Sequence, residues 1–148
     1  RRGVEFLNFH AVGGVEMLRA GIEAYREGAR DAGHPSPIAL GVTILTSDAD
    51  ASAFELRLEI CRAAGADGVV CAAAEIDRAR RAGMRTMVPG IRRAGDDAND
   101  QARVATPQEA IAAGAHWLVI GRTVSAAPDP ERAAAEVVAD VDRVGAST

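Results

Sequence analysis

Short apolar runs alternate along this chain with alanine-rich segments of helical periodicity. In each run nearly every residue is apolar, which is typical of strands covered on both faces of a parallel sheet. The segments between the runs repeat apolar residues at helical spacing, which indicates helices packed against that sheet. The predicted strands span residues 4–9, 38–45, 68–71, 86–88 and 116–120, and the predicted helices span residues 15–30, 51–64, 75–82, 106–113 and 129–144.

Residues typical of helix ends mark the same boundaries. Four of the five predicted helices run into an Ala-Gly dipeptide, and glycine at that place tolerates the left-handed conformation that ends a helix. Thr106, Pro107 and Glu109 form the pattern of a capping box with proline in the first turn. Asp129 before Pro130 repeats the device at the last helix, so both kinds of signal indicate five strand-helix units.

Strands joined by helical crossovers form either an open doubly wound α/β sheet or part of a (βα)8 barrel, and periodicity alone leaves both open. Five strands do not close an eight-stranded barrel, so its first and last strands would be bare edges, which proteins normally cover. We therefore expect upstream sequence or a partner chain at those edges. The chain opens with Arg1 and Arg2 rather than Met, as a piece of a longer sequence would.

Composition narrows the range of partners. A formal net charge of -4 over 148 residues provides no basic field for nucleic acid, whereas one small phosphate needs only one or two arginines. No apolar run approaches the roughly 20 residues that span a bilayer, so we expect a cytoplasmic protein without a membrane partner. Cys61 and Cys71 lie in apolar stretches without metal-ligand spacing and are interpreted as buried thiols.

Two arginines follow the last two predicted strands, at the carboxyl ends where both architectures bind ligands. Gly121 permits close backbone approach and Arg122 adds a forked donor that matches phosphate. Arg92 leaves the preceding strand behind the Pro89-Gly90 turn and is within reach of the same anion. Position alone leaves two interpretations open, namely a shared phosphate site and ordinary surface arginines.

The polar stretch between Arg92 and Thr106 is typical of an active-site lid. Its Asp96, Asp97 and Asp100 lack the spacing of a calcium loop, so they are interpreted as solvated acids rather than metal ligands. His10 ends the first predicted strand, where a lone histidine is more often part of the scaffold than a catalytic base.

Short segments at the strand ends also share a signature in their order and spacing. They read His-Ala-Val-Gly-Gly at 10–14 with Met-Leu at 17–18, Val-Thr-Ile-Leu-Thr-Ser at 42–47, Gly-Ala-Asp-Gly-Val-Val-Cys at 65–71, Pro-Gly-Ile-Arg at 89–92, Asp-Gln-Ala-Arg at 100–103, Thr-Pro at 106–107, and Val-Ile-Gly-Arg at 119–122 with Ala-Pro-Asp-Pro at 127–130. Together they resemble the bacterial orotidine 5'-phosphate decarboxylase family over almost the whole chain.

The resemblance implies a (βα)8 TIM barrel that acts as a homodimer and converts orotidine 5'-monophosphate to UMP and carbon dioxide without cofactor or metal. Residues 1–148 would be the C-terminal part of a single barrel domain, from the fourth strand to the eighth helix, with the N-terminal strands absent. The expected partners are therefore the small-molecule substrate and either a second copy of the chain or a complementing N-terminal segment.

The resemblance also implies a set of substrate-binding residues. Arg122, the backbone of Gly121 and Arg92 would hold the 5'-phosphate. Gln101, on the lid, would bridge the phosphate and the pyrimidine. At the pyrimidine ring, Thr46 would make contact and Pro89 would line the pocket.

The catalytic array of the family is missing from this chain. In the family, catalysis depends on an Asp-x-Lys-x-x-Asp pattern at the third strand and on an Asp and a Lys from the first two strands. This chain contains no lysine among its 17 basic residues, so none of its side chains supplies an ammonium proton donor. The sequence therefore predicts binding and lid functions without a catalytic residue. Two alternatives stay open: a sugar-phosphate decarboxylase or hexulose-phosphate synthase of the same suprafamily, and a non-catalytic phosphate-binding partial barrel.

Overall fold

A parallel five-stranded sheet in consecutive order forms the centre of the molecule. The computed structural model describes residues 3–34, 37–93 and 103–145. The strands are β1 (Phe6–His10), β2 (Ile38–Val42), β3 (Gly68–Val70), β4 (Arg85–Val88) and β5 (Trp117–Leu118). The helices are α1 (Gly14–Asp31), α2 (Phe54–Ala63), α3 (Ile76–Arg81), α4 (Pro107–Ala112), α5 (Arg122–Ser125) and α6 (Pro130–Gly145), and the 3-10 turns are Ala11–Gly13 and Ala73–Glu75.

The predicted α/β class and the five strand-helix units are confirmed. Consecutive strands pair in parallel, with Phe6 opposite Ile38 in the first pair and Val88 opposite Leu118 in the last. The short helix α5 was not predicted, because four residues after a strand carry no periodicity that separates them from a loop. No helix in the described part of the chain is long and apolar enough to cross a membrane.

The predicted helix-end signals are confirmed as contacts. Glycines 33, 65, 83 and 114 adopt φ values of 69°, 79°, 76° and 92° after their helices. At the start of α4, Thr106 Oγ1 accepts the Glu109 backbone N–H at 3.2 Å, and the Glu109 carboxylate accepts the Thr106 backbone N–H at 2.8 Å. At α6, Asp129 Oδ1 accepts the Arg132 backbone N–H at 3.0 Å.

Both faces of the sheet are apolar. On one face, α1 and α2 cover the strands with a buried cluster that includes Leu18, Ile22 and Phe54. On the opposite face, buried side chains of β2 and β3 meet half-buried side chains from the outer strands, and Phe6 packs edge-on against Trp117 with ring centroids 5.2 Å apart. An apolar inner face of this kind is what a barrel interior requires.

The expectation that every strand is covered on both faces is wrong for β1. Leu7 is 40% exposed, and Asn8 and His10 are also exposed. The physical reason is the position of β1, since it lies at one end of the strand order and has β2 as its neighbour in the described sheet. Strand β5 ends the sheet on the other side, so the expected edges are the two terminal strands.

The two cysteines are buried and free of disulfide bonds. Burial raises the pKa of each thiol to about 12, which keeps both protonated and unreactive at neutral pH. The interpretation of Cys61 and Cys71 as core thiols is therefore confirmed.

We expect the Thr106→Ala variant to lose about 1 kcal/mol of unfolding free energy, the usual contribution of an N-cap side chain. The capping contact fixes the first turn of α4. Chemical denaturation monitored by circular dichroism measures the change. Ser125→Ala, an exposed serine on α5, is the matched control, and equal stability of the two variants would contradict the assignment of the cap.

Candidate functional site

The carboxyl ends of β4 and β5 lie side by side. The Val119 backbone N–H donates to the Val88 carbonyl at 2.9 Å, which continues the pairing beyond β5. Consequently the residues that follow the two strands meet at the same edge of the sheet. The Arg92 backbone N–H also donates to the Ala105 carbonyl at 2.9 Å, so the chain that leaves after β4 returns beside its point of departure.

Arg92 is a buried arginine at this edge. The residue is 7% exposed, and its guanidinium donates to the neighbouring Ile91 carbonyl at 2.9 Å. Its Nε is buried and has no hydrogen-bond partner among the described residues. Because buried polar groups are normally hydrogen-bonded, an unmatched donor here is a feature of a site that binds an acceptor.

Arg92 and Arg122 line one open cleft of about 570 Å³. The cleft lies between the end of β4, α5 and the first turns of α6. Four arginines and two carboxylates line it, which leaves an excess of two positive charges. The lining residues are Arg92, Arg93, Arg122, Thr123, Ala126, Ala127, Pro128, Asp129, Arg132, Ala133 and Glu136.

Helix α5 places Arg122 at the rim of this cleft. The Val124 and Ser125 backbone N–H groups donate to the Gly121 carbonyl at 2.9 and 3.0 Å, so the helix starts at Arg122, with three residues between it and β5. Thr123 Oγ1 donates to the Ile91 carbonyl at 3.4 Å and ties α5 to the β4 end. A side chain added at Gly121 would meet nothing within 4 Å, so the space beside this backbone is open.

Arg93 anchors α6 at the far wall of the cleft. Its guanidinium forms an ion pair with Glu136, and its Nε lies 3.5 Å from Asp140 Oδ2. Arg132 Nε lies 2.8 Å from Glu136 Oε1, and this contact is the main reason that the pKa of Glu136 lies below its usual value. Arg93 was not predicted from the sequence, because the spacing of acids on α6 indicates an acidic stripe but not its partner.

Two further sequence-predicted residues lie at the same edge of the sheet. Thr46 follows β2 and is 8% exposed, and Pro89 directly follows β4 and is half-buried. Neither of them lines the arginine cleft. Gln101 lies outside the described residues, as do Asp96, Asp97 and Asp100.

A buried ion pair between Glu75 and Arg103 also lies at this edge and was not assigned a role from the sequence. Glu75 is 1% exposed, and its carboxylate accepts the Ala72 backbone N–H at 2.7 Å. The Arg103 guanidinium pairs with this carboxylate and donates to the Leu45 carbonyl at 3.0 Å. In the sequence, the segment Asp-Gln-Ala-Arg singles out Arg103, but it does not indicate which residue its side chain pairs with.

Comparison with known proteins identifies the family. The sequence matches the orotidine 5'-phosphate decarboxylase / HUMPS family over residues 1–137. This chain belongs to that family. It is 43% identical to the orotidine 5'-phosphate decarboxylase of Moorella thermoacetica and 39% identical to that of Pseudomonas entomophila, covering 97% and 94% of this chain and 64% of each relative. The chain therefore spans about 64% of the length of these curated relatives.

Solved structures of the decarboxylase family share the fold. The crystal structure of orotidine 5'-phosphate decarboxylase from Lactobacillus acidophilus matches with a TM-score of 0.69 at 28% identity, over 94% of this chain and 64% of that one. The Sulfolobus solfataricus enzyme has the same TM-score at 18% identity, over 95% of this chain and 62% of that one. The fold is therefore that of the (βα)8 barrel family, and the open doubly wound alternative is set aside.

We expect Arg93→Met to lower the unfolding free energy by about 1 kcal/mol, because Glu136 and Asp140 on α6 each lose a cationic partner, while Asp140 keeps Arg143 at 2.8 Å. The matched control is Arg132→Met, whose side chain is 76% exposed and whose loss should change stability little. Urea denaturation at neutral pH measures both variants. Equal destabilisation by the two changes would show that Arg93 does not anchor α6.

Proposed function

We propose that this chain carries the phosphate- and pyrimidine-binding part of an orotidine 5'-phosphate decarboxylase, the carbon-carbon lyase that converts orotidine 5'-monophosphate to UMP and carbon dioxide. The observation that carries the proposal is the shared cleft of Arg92 and Arg122. In this proposal residues 1–148 are the C-terminal part of one barrel domain that acts in the cytoplasm.

The charge of the cleft fits a phosphate monoester. Its excess of two positive charges matches a phosphate that carries nearly two negative charges at neutral pH. Arginine forks pair with phosphate oxygens through parallel N–H bonds, which adds direction to the attraction. The buried Nε of Arg92 gains an acceptor when such an anion enters, so binding offsets part of the cost of its burial.

The proposed contacts to the pyrimidine come from residues at the same edge of the sheet. Thr46 and Pro89 lie beyond the ends of β2 and β4, on the side of the sheet where Arg92 also lies. We assign Thr46 to ring contact and Pro89 to the wall of the ring pocket. Gln101 keeps its proposed role between ring and phosphate, and the open space beside Gly121 suits a phosphate at its backbone.

The chemistry itself is assigned to residues outside this chain. Loss of carbon dioxide leaves a carbanion that a neighbouring ammonium stabilises and protonates, while carboxylates press on the departing carboxylate. A chain without lysine does not provide that ammonium. Binding energy from the phosphate contributes to transition-state stabilisation even though the phosphate does not react. We therefore assign no catalytic residue to this chain. The reaction as proposed uses no cofactor and no metal.

Exposed apolar residues at the edge of the sheet support the proposal of a complementing partner. Leu7 on β1 and Val4 before it are 40% and 53% exposed, and an unpaired apolar edge favours association with another strand. The proposed occupant is an N-terminal segment that supplies the remaining strand-helix units and the catalytic array. Self-association of two copies through the same edges is the alternative, and sedimentation of the chain alone distinguishes a monomer from an oligomer.

Arg122→Ala is expected to weaken UMP binding by about 1.5 to 3 kcal/mol, which is on the order of a tenfold to hundredfold rise in Kd, because a charge-assisted contact to phosphate is lost. Isothermal titration calorimetry with UMP measures the effect. Arg62→Ala is the matched control, since Arg62 lies on α2 and pairs with Glu59 at 2.7 Å. An unchanged Kd in Arg122→Ala would remove this arginine from the site.

We expect the chain alone to bind UMP without decarboxylating orotidine 5'-monophosphate. Mixing it with an N-terminal fragment of a family member that carries the Asp-x-Lys-x-x-Asp pattern should restore turnover, and the same fragment with its lysine replaced by alanine should not. Loss of absorbance of orotidine 5'-monophosphate measures the reaction. Turnover by the chain alone would contradict the proposal, and tighter binding of a pentulose 5-phosphate than of UMP would favour the sugar-phosphate alternative.

A further inference from the structure

The ion pair between Glu75 and Arg103 stands apart from the surface ion pairs of this protein. The Glu75 side chain is 1% exposed and that of Arg103 is 15% exposed. Burial of both charges costs desolvation energy, so such a pair is weak as a source of stability and is better suited to holding one arrangement of the chain. A guanidinium suits that task, because its planar fork fixes the angle between two acceptors.

Arg103 joins two strand ends to one another. Its guanidinium pairs with Glu75 and donates to the Leu45 carbonyl at 3.0 Å, directly before Thr46. The second carboxylate oxygen of Glu75 accepts the Ala72 N–H at 2.7 Å just beyond β3. The loop that carries Thr46 is therefore held against the end of β3 through one arginine.

The backbone after Arg103 connects the same arginine to the phosphate cleft. Two residues later, the Ala105 N–H donates to the Gly90 carbonyl at 3.3 Å, and the Ala105 carbonyl accepts from the Arg92 N–H at 2.9 Å. Arg103 does not line the cleft itself. It lies between the loop of Thr46 and the strand end of Arg92, with a contact to the first and a two-residue backbone link to the second.

We infer that Arg103 is a positioning residue that sets the spacing between Thr46 and the Arg92 cleft, and that it thereby makes the site selective for nucleotides over shorter phosphate esters. The inference rests on the proposed function, because it takes Thr46 as the ring contact and Arg92 as the phosphate contact. The affinity of a ligand that reaches only the phosphate cleft does not depend on this spacing. A nucleotide must contact both places at once, so its affinity depends on the spacing.

The test compares two ligands on the full chain by calorimetry, UMP for both places and ribose 5-phosphate for the phosphate cleft. The double variant Glu75→Gln with Arg103→Met removes both charges and leaves no lone buried carboxylate. It should raise the Kd for UMP about tenfold, the scale of one lost positioning contact, while the Kd for ribose 5-phosphate stays within about twofold. Arg103→Lys keeps the charge but loses the fork, so the same loss of selectivity is expected.

Arg78→Met is the matched control. Arg78 Nη2 lies 4.0 Å from the same Glu75 oxygen, but its side chain is 44% exposed and contacts Glu55. This variant should leave both dissociation constants unchanged. Thermal melting is used to check that each variant is folded.

The outcomes separate this inference from the proposed function. An equal loss of affinity for both ligands, or no loss for either, in folded Arg103 variants would overturn the positioning role. Equal affinity of the unaltered chain for UMP and ribose 5-phosphate would also overturn it, while leaving the phosphate cleft intact. Failure of the unaltered chain to bind either ligand would instead overturn the proposed function.

Discussion

Parallel pairing of consecutive strands is the constraint on which the candidate site depends. Each helical crossover returns the chain to the same end of the sheet, so the residues that follow successive strands collect at one edge. Arg92 and Arg122 meet in this way although 30 positions separate them in the sequence. The pairing of β4 with β5 involves only two residue pairs, Met87 with Trp117 and Val88 with Leu118, and it still suffices to align the two strand ends.

Local signals predicted the strands, the helices and the proximity of Arg92 and Arg122 at one edge of the sheet, whereas the long-range ion pairs of other arginines were not predictable. The capping box of Thr106 and Glu109 depends on residues three apart, which a sequence displays directly. Arg93 pairs with a glutamate 43 residues away and Arg103 with one 28 residues away. Nothing in the local pattern distinguishes such arginines from solvated ones. Residues such as Thr46 and Pro89 were predicted through family resemblance, and their contacts with a ligand remain predictions.

The use of arginine as the sole strong base suits anion binding rather than proton transfer. A buried lysine readily loses its proton, whereas a guanidinium stays charged in a protein interior. Arg92 is 7% exposed and the Arg103 side chain is 15% exposed, so two largely buried basic residues at this edge are of the type that is favoured in buried ion pairs. Composition and burial are therefore consistent with the proposed role of this part of the barrel in binding the substrate.

The arginines at the two ends of the sheet differ in their hydrogen bonds. This difference parallels the separation of stability from ligand binding in barrels. At the amino ends of the strands, Asp67 accepts Arg26 at 2.8 Å and its carbonyl accepts Arg85 at 3.2 Å, while Asp67 also accepts the Ala39 backbone N–H. At the carboxyl ends, the buried Nε atoms of Arg92 and Arg103 have no hydrogen-bond partner within the described residues. Unmatched buried donors cost free energy, and in barrels of this kind ligands bind at the carboxyl ends while the amino ends contribute stability. The unmatched donors therefore lie at the end of the sheet where barrels of this kind bind their ligands.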